Sequence, residues 1–138
     1  MAEVLRRELV LVNPRASYFF IDFLQRVITG NPVPYVFLIL SALTPRSWGV
    51  RFINKKDIWF PWEFKGGRLV GITCLTASVT EAYRLADRFR KAGSKVVLGG
   101  PHVSARPDEA LAHADSVVIG EAESAWPQIL KDYEAGSL

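Results

Sequence analysis

The chain has 138 residues, of which 49% are hydrophobic and 22% charged, and its formal charge is +3. This is the composition of one ordinary globular domain, long enough to bury a core without staples and too short for a second domain. The basic residues are scattered (Arg6 and Arg7, Lys55 and Lys56, then Arg84, Arg88, Arg90 and Lys91), so they read as solvated faces and exclude a nucleic-acid surface.

In chain order, 8–14 reads as a buried strand ending at Pro14. The stretch 17–29 places Phe19, Phe20, Phe23, Leu24, Val27 and Ile28 at helical spacing. Pro34 opens a buried helix over 34–45, and 49–54 is a short second strand. The stretch 57–67, with Trp59, Phe60, Trp62 and Phe64, is aromatic and irregular. A third strand, apolar throughout, covers 68–75. The clearest helix is 78–93, with Ser78 as its cap, Glu81 completing a capping box and Gly93 as its stop. A fourth strand covers 95–100, a short helix 106–114 and a fifth strand 116–121. The closing helix, 124–136, carries Trp126, Ile129, Leu130 and Tyr133 on one face and Pro127 in its first turn.

Apolar strands alternating with helices imply a parallel sheet covered on both faces. The expected fold is therefore α/β, a doubly wound, five-stranded, flavodoxin-like or Rossmann-like domain over 1–138. Such sheets bind ligands at the carboxyl ends of their strands. That directs attention to the loops after residues 13, 54, 74, 99 and 119.

Three of these loops are unusual. In 71–78, Thr73, Thr76 and Ser78 offer hydroxyls beside a helix start, where an anion is favoured; capping and strand propensity would also account for them. In 99–103, Gly99 and Gly100 permit close backbone approach, Pro101 stiffens the turn and His102 offers a ring nitrogen. A tight turn would use the same residues. In 120–124, Gly120 lets the chain bend, while Glu121 and Glu123 precede a helix that favours carboxylates. His113 reads as a surface residue.

Other chemistries lack their signals. The loop after the first strand is "NPRAS", without the glycines of a dinucleotide site, and no phosphate-binding GxxxxGK[ST] occurs. The same loop lacks the acidic residues of a phosphoacceptor receiver. Cys74, His102 and His113 have no metal-ligand spacing. Cys74 is the lone cysteine, which excludes an internal disulfide and fits a reducing cytoplasm, and its apolar strand predicts a buried thiol. Glu3 and Glu8 interrupt the start, and the longest apolar run, Val36 to Leu40, is too short for a bilayer. Neither a secretory signal nor a membrane span is expected.

Taken together, the loops resemble the cobalamin-binding domain family. Thr73-Cys74-Leu75 looks like that family's Ser-x-Leu after the third strand, and Gly99-Gly100 like its Gly-Gly after the fourth. The family's Asp-x-His-x-x-Gly after the first strand is absent. With Gly-Gly-Pro-His at 99–102 and Gly-Glu-x-Glu at 120–123, the chain is similar to the amino-terminal domain of cobalamin-dependent radical S-adenosylmethionine enzymes of methyltransferase or cyclase type.

The resemblance implies a vitamin B12 (cobalamin) module whose cobalt has no protein histidine ligand, with no metal ligand and no catalytic residue supplied by this chain. It implies cofactor contacts from Thr73, Leu75, Thr76, Ser78, Gly99, Gly100, Pro101, His102, Gly120, Glu121 and Glu123. The nucleotide tail would lie beside Thr73, Thr76, Gly99 and Gly100. S-adenosylmethionine and an iron–sulfur cluster would belong to a partner barrel domain, because one cysteine cannot hold such a cluster. Catalysis by the chain alone is not expected. The competing reading is a ligand-free interaction domain of the same fold, using Trp59, Phe60, Trp62 and Phe64 as a docking patch.

Overall fold

The computed structural model describes residues 7–14, 33–54 and 64–138. Five parallel strands form one sheet in the order β2-β1-β3-β4-β5. They are β1 (Glu8–Asn13), β2 (Gly49–Asn54), β3 (Leu69–Thr73), β4 (Lys95–Gly99) and β5 (Ser116–Val117). The helices are α1 (Tyr35–Leu43), α2 (Val79–Lys91), α3 (Pro101–Ala105), α4 (Pro107–Leu111) and α5 (Ala122–Ala135). This is the expected doubly wound α/β domain. The helix expected over 17–29, and Trp59, Phe60 and Trp62 of the aromatic stretch, lie outside the described residues.

The central strands β1, β3 and β4 are apolar along their middles because both faces of the sheet are covered there, whereas edge strand β2 exposes Arg51 and Phe52. Val10, Val12, Val70, Ile72, Val96 and Leu98 face α2, meeting Ala82, Leu85, Ala86 and Phe89, with Val103 of α3 and Ala110 of α4 beside them. The alternate residues, Leu9, Leu11, Leu69 and Val97, face Phe37 and Leu40 of α1 and Trp126, Ile129 and Leu130 of α5. The side-chain period of two along a strand makes this partition unavoidable. Trp126 is 1% exposed, and its indole N–H donates to Thr44 Oγ1 at 3.0 Å.

Several boundaries depart from expectation. The fifth strand was expected over 116–121 but ends at Val117. Val118 N–H still reaches Leu98 O at 2.9 Å, but β4 stops at Gly99, so among the described residues 119–121 has no neighbouring strand to pair with. The helix expected over 106–114 is α4, and a further helix, α3, precedes it. Pro107 separates the two: it biases Arg106 away from helical backbone, and that residue has φ −136° and ψ 60°. Helix α5 starts at Ala122, two residues early, so Pro127 falls in its second turn and forfeits one backbone hydrogen bond.

Ser78 was expected to cap α2 with its side chain. Instead its hydroxyl bonds back to the Leu75 carbonyl at 3.3 Å and accepts from Leu75 N–H at 3.4 Å, closing a short 3-10 turn over Thr76–Ser78. Glu81 pairs with Arg84, at 2.6 Å and 2.9 Å, instead of completing a capping box.

The two edges of the sheet differ. The amino edge is tied down by charge: Arg68, buried at the start of β3, meets Glu8 of β1 at 2.6 Å, and Arg7 meets Glu134 of α5 at 3.0 Å. The carboxyl edge carries the glycine turns. In the order 2-1-3-4-5 the chain reverses direction between β1 and β3, and a ligand crevice is expected outside the carboxyl ends of the strands at such a reversal.

Candidate functional site

A cavity of about 380 Å³ opens at the carboxyl edge and runs between the sheet and the pair α1 and α5. Such a volume suits a small organic group. Thr73, Gly99, Gly100, Pro101, Ser104, Gly120 and Glu121 stand around its mouth. Its deeper wall is Leu11, Gly71 and Val97 from the sheet, Phe37 and Leu40 from α1, and Val118 and Trp126.

Two glycines border this space, Gly71 letting Leu11 pack down on the strand and Gly99 leaving room beside Val118. A Cβ on Gly71 would come within 2.8 Å of Leu11 Cδ2 and 3.7 Å of Trp126 Cη2. A Cβ on Gly99 would meet Val118 Cβ at 3.6 Å, an ordinary contact, so side chains can be built there at the expense of the cavity. Gly100 has a different task. Its φ is +107° and its ψ 178°, backbone that essentially only glycine adopts. A Cβ there would lie 2.9 Å from Cys74 O, 3.0 Å from Cys74 N and 3.2 Å from Thr73 Oγ1. The turn presses against the end of β3 itself: Cys74 N–H donates to Gly99 O at 2.7 Å and His102 N–H to Cys74 O at 3.1 Å.

Ser104 binds this turn to the next loop. Its hydroxyl donates to Gly100 O at 3.2 Å and accepts from Gly120 N–H at 2.9 Å. The sequence reading missed Ser104, because "GGPHVSA" looked like a turn and not the first turns of a helix. It also missed Gly71, though a glycine inside a strand is itself a signal that something approaches the backbone closely.

Of the residues singled out from sequence, Thr73, Gly99, Gly100, Pro101, Gly120 and Glu121 come together around the cavity mouth. Leu75 stands nearby in the loop after β3, 54% exposed. Thr76, Ser78, His102 and Glu123 do not line the cavity. Glu123 lies in the first turn of α5, and its Oε2 is buried without a hydrogen-bond partner.

His102 belongs to a separate cluster between α2 and the α3–α4 pair. Its Nδ1 lies 3.1 Å from Thr76 Oγ1, its Nε2 3.5 Å from Glu109 Oε1, and its ring meets Tyr83 edge-on. His113, expected at the surface, is half-buried: it stacks on Tyr83 with centroids 4.3 Å apart and pairs with Asp87 at 2.9 Å. Burial and the Glu109 carboxylate push the Tyr83 hydroxyl up to about 12.

Cys74 is buried, and burial first, then the Glu109 charge, push its thiol up to about 11. A group that ionises more readily unfolded than folded loses stability as pH rises between the two values. Folding stability should therefore fall between about pH 9 and pH 11, by up to ~1.4 kcal/mol per unit from this thiol. Denaturant midpoints measured across that range, in the wild type and in Cys74→Ala, check it: the alanine variant should show the shallower slope. Native Cys74 should also resist thiol reagents at pH 8 and react fully on unfolding.

Residues 63–130 match the B12 binding domain family. That segment of the chain belongs to the B12-binding family. It contains β3, β4 and β5, the glycine turns and most of α5. Two curated relatives come from Chlorobaculum tepidum. A bacteriochlorophyllide d C-8(2)-methyltransferase is 41% identical over 97 residues, covering 68% of this chain and 21% of the relative. A bacteriochlorophyllide d C-12(1)-methyltransferase is 32% identical over 136 residues, covering 96% of this chain and 28% of the relative. The chain thus spans little more than a quarter of the relatives' length at most. Among solved structures, the amino-terminal domain of a hypothetical protein of Thermotoga maritima aligns at 22% identity and a TM-score of 0.47, over 66% of this chain and 88% of that one. No helix among the described residues is long and apolar enough to cross a membrane.

Proposed function

We propose that this B12-binding domain is the cobalamin-carrying module of a radical S-adenosylmethionine methyltransferase. The observation that carries the reading is the cavity beside β3 and β4, bordered by Gly71 and Gly99, where a side chain on Gly99 would take up its space. Its volume of about 380 Å³ would suit the cofactor's nucleotide tail. The tail would enter beside Thr73 and Gly99, and the Thr73 hydroxyl would hold its polar part. Pro101, Gly120 and Glu121, with Leu75 nearby, would lie under the corrin ring. When bound, cobalamin supplies a cobalt that carries a methyl group or an electron. The chain's own residues position it and shield its tail from water.

Both curated relatives are methyltransferases, which favours methyl transfer over cyclisation as the reaction served. The catalytic barrel, with its S-adenosylmethionine and iron–sulfur cluster, would be the partner covering the upper face. Cytoplasmic work suits the free thiol.

No histidine stands at the cavity mouth among the described residues, and His102 Nδ1 is held beside Thr76 Oγ1 at 3.1 Å. Cob(II)alamin bound to the chain should therefore give an electron paramagnetic resonance signal without axial nitrogen splitting. A nitrogen-split signal would mean either that the tail base stays on the cobalt, against the placement of the tail, or that a histidine binds it, against a histidine-free site.

A further inference from the structure

The deep part of the cavity is selective in its chemistry. Among the described residues, the polar side chains that line it are Thr73, Ser104 and Glu121, and all three belong to the mouth. Ser104 is already committed to Gly100 and Gly120. Below them the wall is Leu11, Phe37, Leu40, Val97, Val118 and Trp126. The single polar atom among these side chains, the Trp126 indole N–H, is spent on Thr44. The backbone of Gly71 and Val97 offers nothing either, because both sit within the paired ladder of β1, β3 and β4.

We infer that this floor selects the base at the end of the cofactor's tail: a benzenoid base is accepted and a purine is rejected. The inference rests on the cobalamin reading above. A benzimidazole brings one free ring nitrogen into the cavity, and a phenolic base brings none. Adenine brings two further ring nitrogens and an exocyclic amine, each leaving water with no partner to meet. Buried polar groups without partners are expensive, and sites discriminate most sharply through them. Gly71, Val97 and Trp126 are the residues that set this preference, two by lacking polar atoms and one by having its polar atom already engaged.

The test is equilibrium dialysis of the 138-residue chain against four probes that share the corrin ring: the dimethylbenzimidazolyl, phenolyl and adeninyl cobamides, and cobinamide, which has no base. The expected order is benzimidazolyl and phenolyl alike and tight, adeninyl weaker by about thirtyfold or more, and cobinamide also weak. Equal affinity for the adeninyl form overturns the inference and leaves the cobalamin module standing. So does cobinamide binding as tightly as the benzimidazolyl form, since the base would then add nothing. Failure of all four to bind overturns the module reading as well. In Val97→Thr, equal in size but with a hydroxyl on the floor, the adeninyl form should gain on the benzimidazolyl form. An unchanged ratio, with thermal unfolding as the control for folding, would remove Val97 from the assignment.

Discussion

Gly99→Val should weaken cobalamin binding by about a hundredfold, ~2.7 kcal/mol, while the fold stays intact. Gly99 is the last residue of a strand, and its backbone is not in the left-handed region. Valine suits such a position, and replacing glycine there lowers the entropy lost on folding. The added side chain points at Val118, 3.6 Å from the new Cβ, and projects into the cavity. Thermal unfolding without cofactor should therefore move by only a few degrees. Gly99→Ala should fall between wild type and valine in affinity. Calorimetric titration with hydroxocobalamin measures the affinity, and circular dichroism melting supplies the control. Unchanged affinity in a folded Gly99→Val protein would mean that the tail does not pass this strand end.

Gly100→Ala should behave in the opposite way, with stability lost first and binding lost as a consequence. The substitution combines a backbone region nearly closed to other residues, about 1–3 kcal/mol, with a Cβ pressed on backbone atoms of Cys74 that cannot swing aside. The expected cost is about 3 kcal/mol, which lowers the unfolding midpoint by roughly 10 °C in a domain of this size. A variant that melts at the wild-type temperature would show that the turn between β4 and α3 relaxes freely, against the packing described here. Adjacent glycines thus do different work: Gly99 keeps a space open, and Gly100 lets two strand ends touch.

That division could not be read from the sequence. "VVLGGPHVSA" announces a close approach to the backbone, and the sheet order confirms where. Which glycine faces the cavity depends on strand alternation and on what lies across the gap, and both are tertiary facts. The fold was legible because its central strands are apolar on both sides and its longest described helices carry plain periodicity, as with Leu85, Ala86 and Phe89 in α2. The mouth of the cavity was legible for the same reason: a doubly wound sheet puts Thr73, Gly99 and Gly120 on one edge. The floor was not. Leu11, Phe37, Val97 and Trp126 look like core residues in the sequence, and they are core residues that also wall a cavity. Short elements also escaped. The helix α3 is five residues long, and nothing in its composition separates it from a turn. His102 and His113 read as loop and surface residues because their partners, Thr76, Tyr83 and Asp87, come from the neighbouring helix and the loop before it.

The ring cluster around Tyr83 sits on the far side of the sheet from the cavity, yet it touches the same loop. Thr76 follows β3 by three residues and meets His102 at 3.1 Å. Together with the Cys74 and His102 backbone bonds, this contact holds the loop after β3 against the start of α3. The carboxyl edge is therefore braced on one face and open on the other, which suits a rigid mouth over a preformed slot.

The measurement that bears most directly on the central claim is a titration of the purified chain with hydroxocobalamin, following the visible spectrum and the corrin retained after desalting. The account predicts one corrin per chain in the wild type, with the spectrum of a cofactor whose tail base has left the cobalt, and strongly reduced retention in folded Gly99→Val. No retention by the wild type, or equal retention by both proteins, would contradict it.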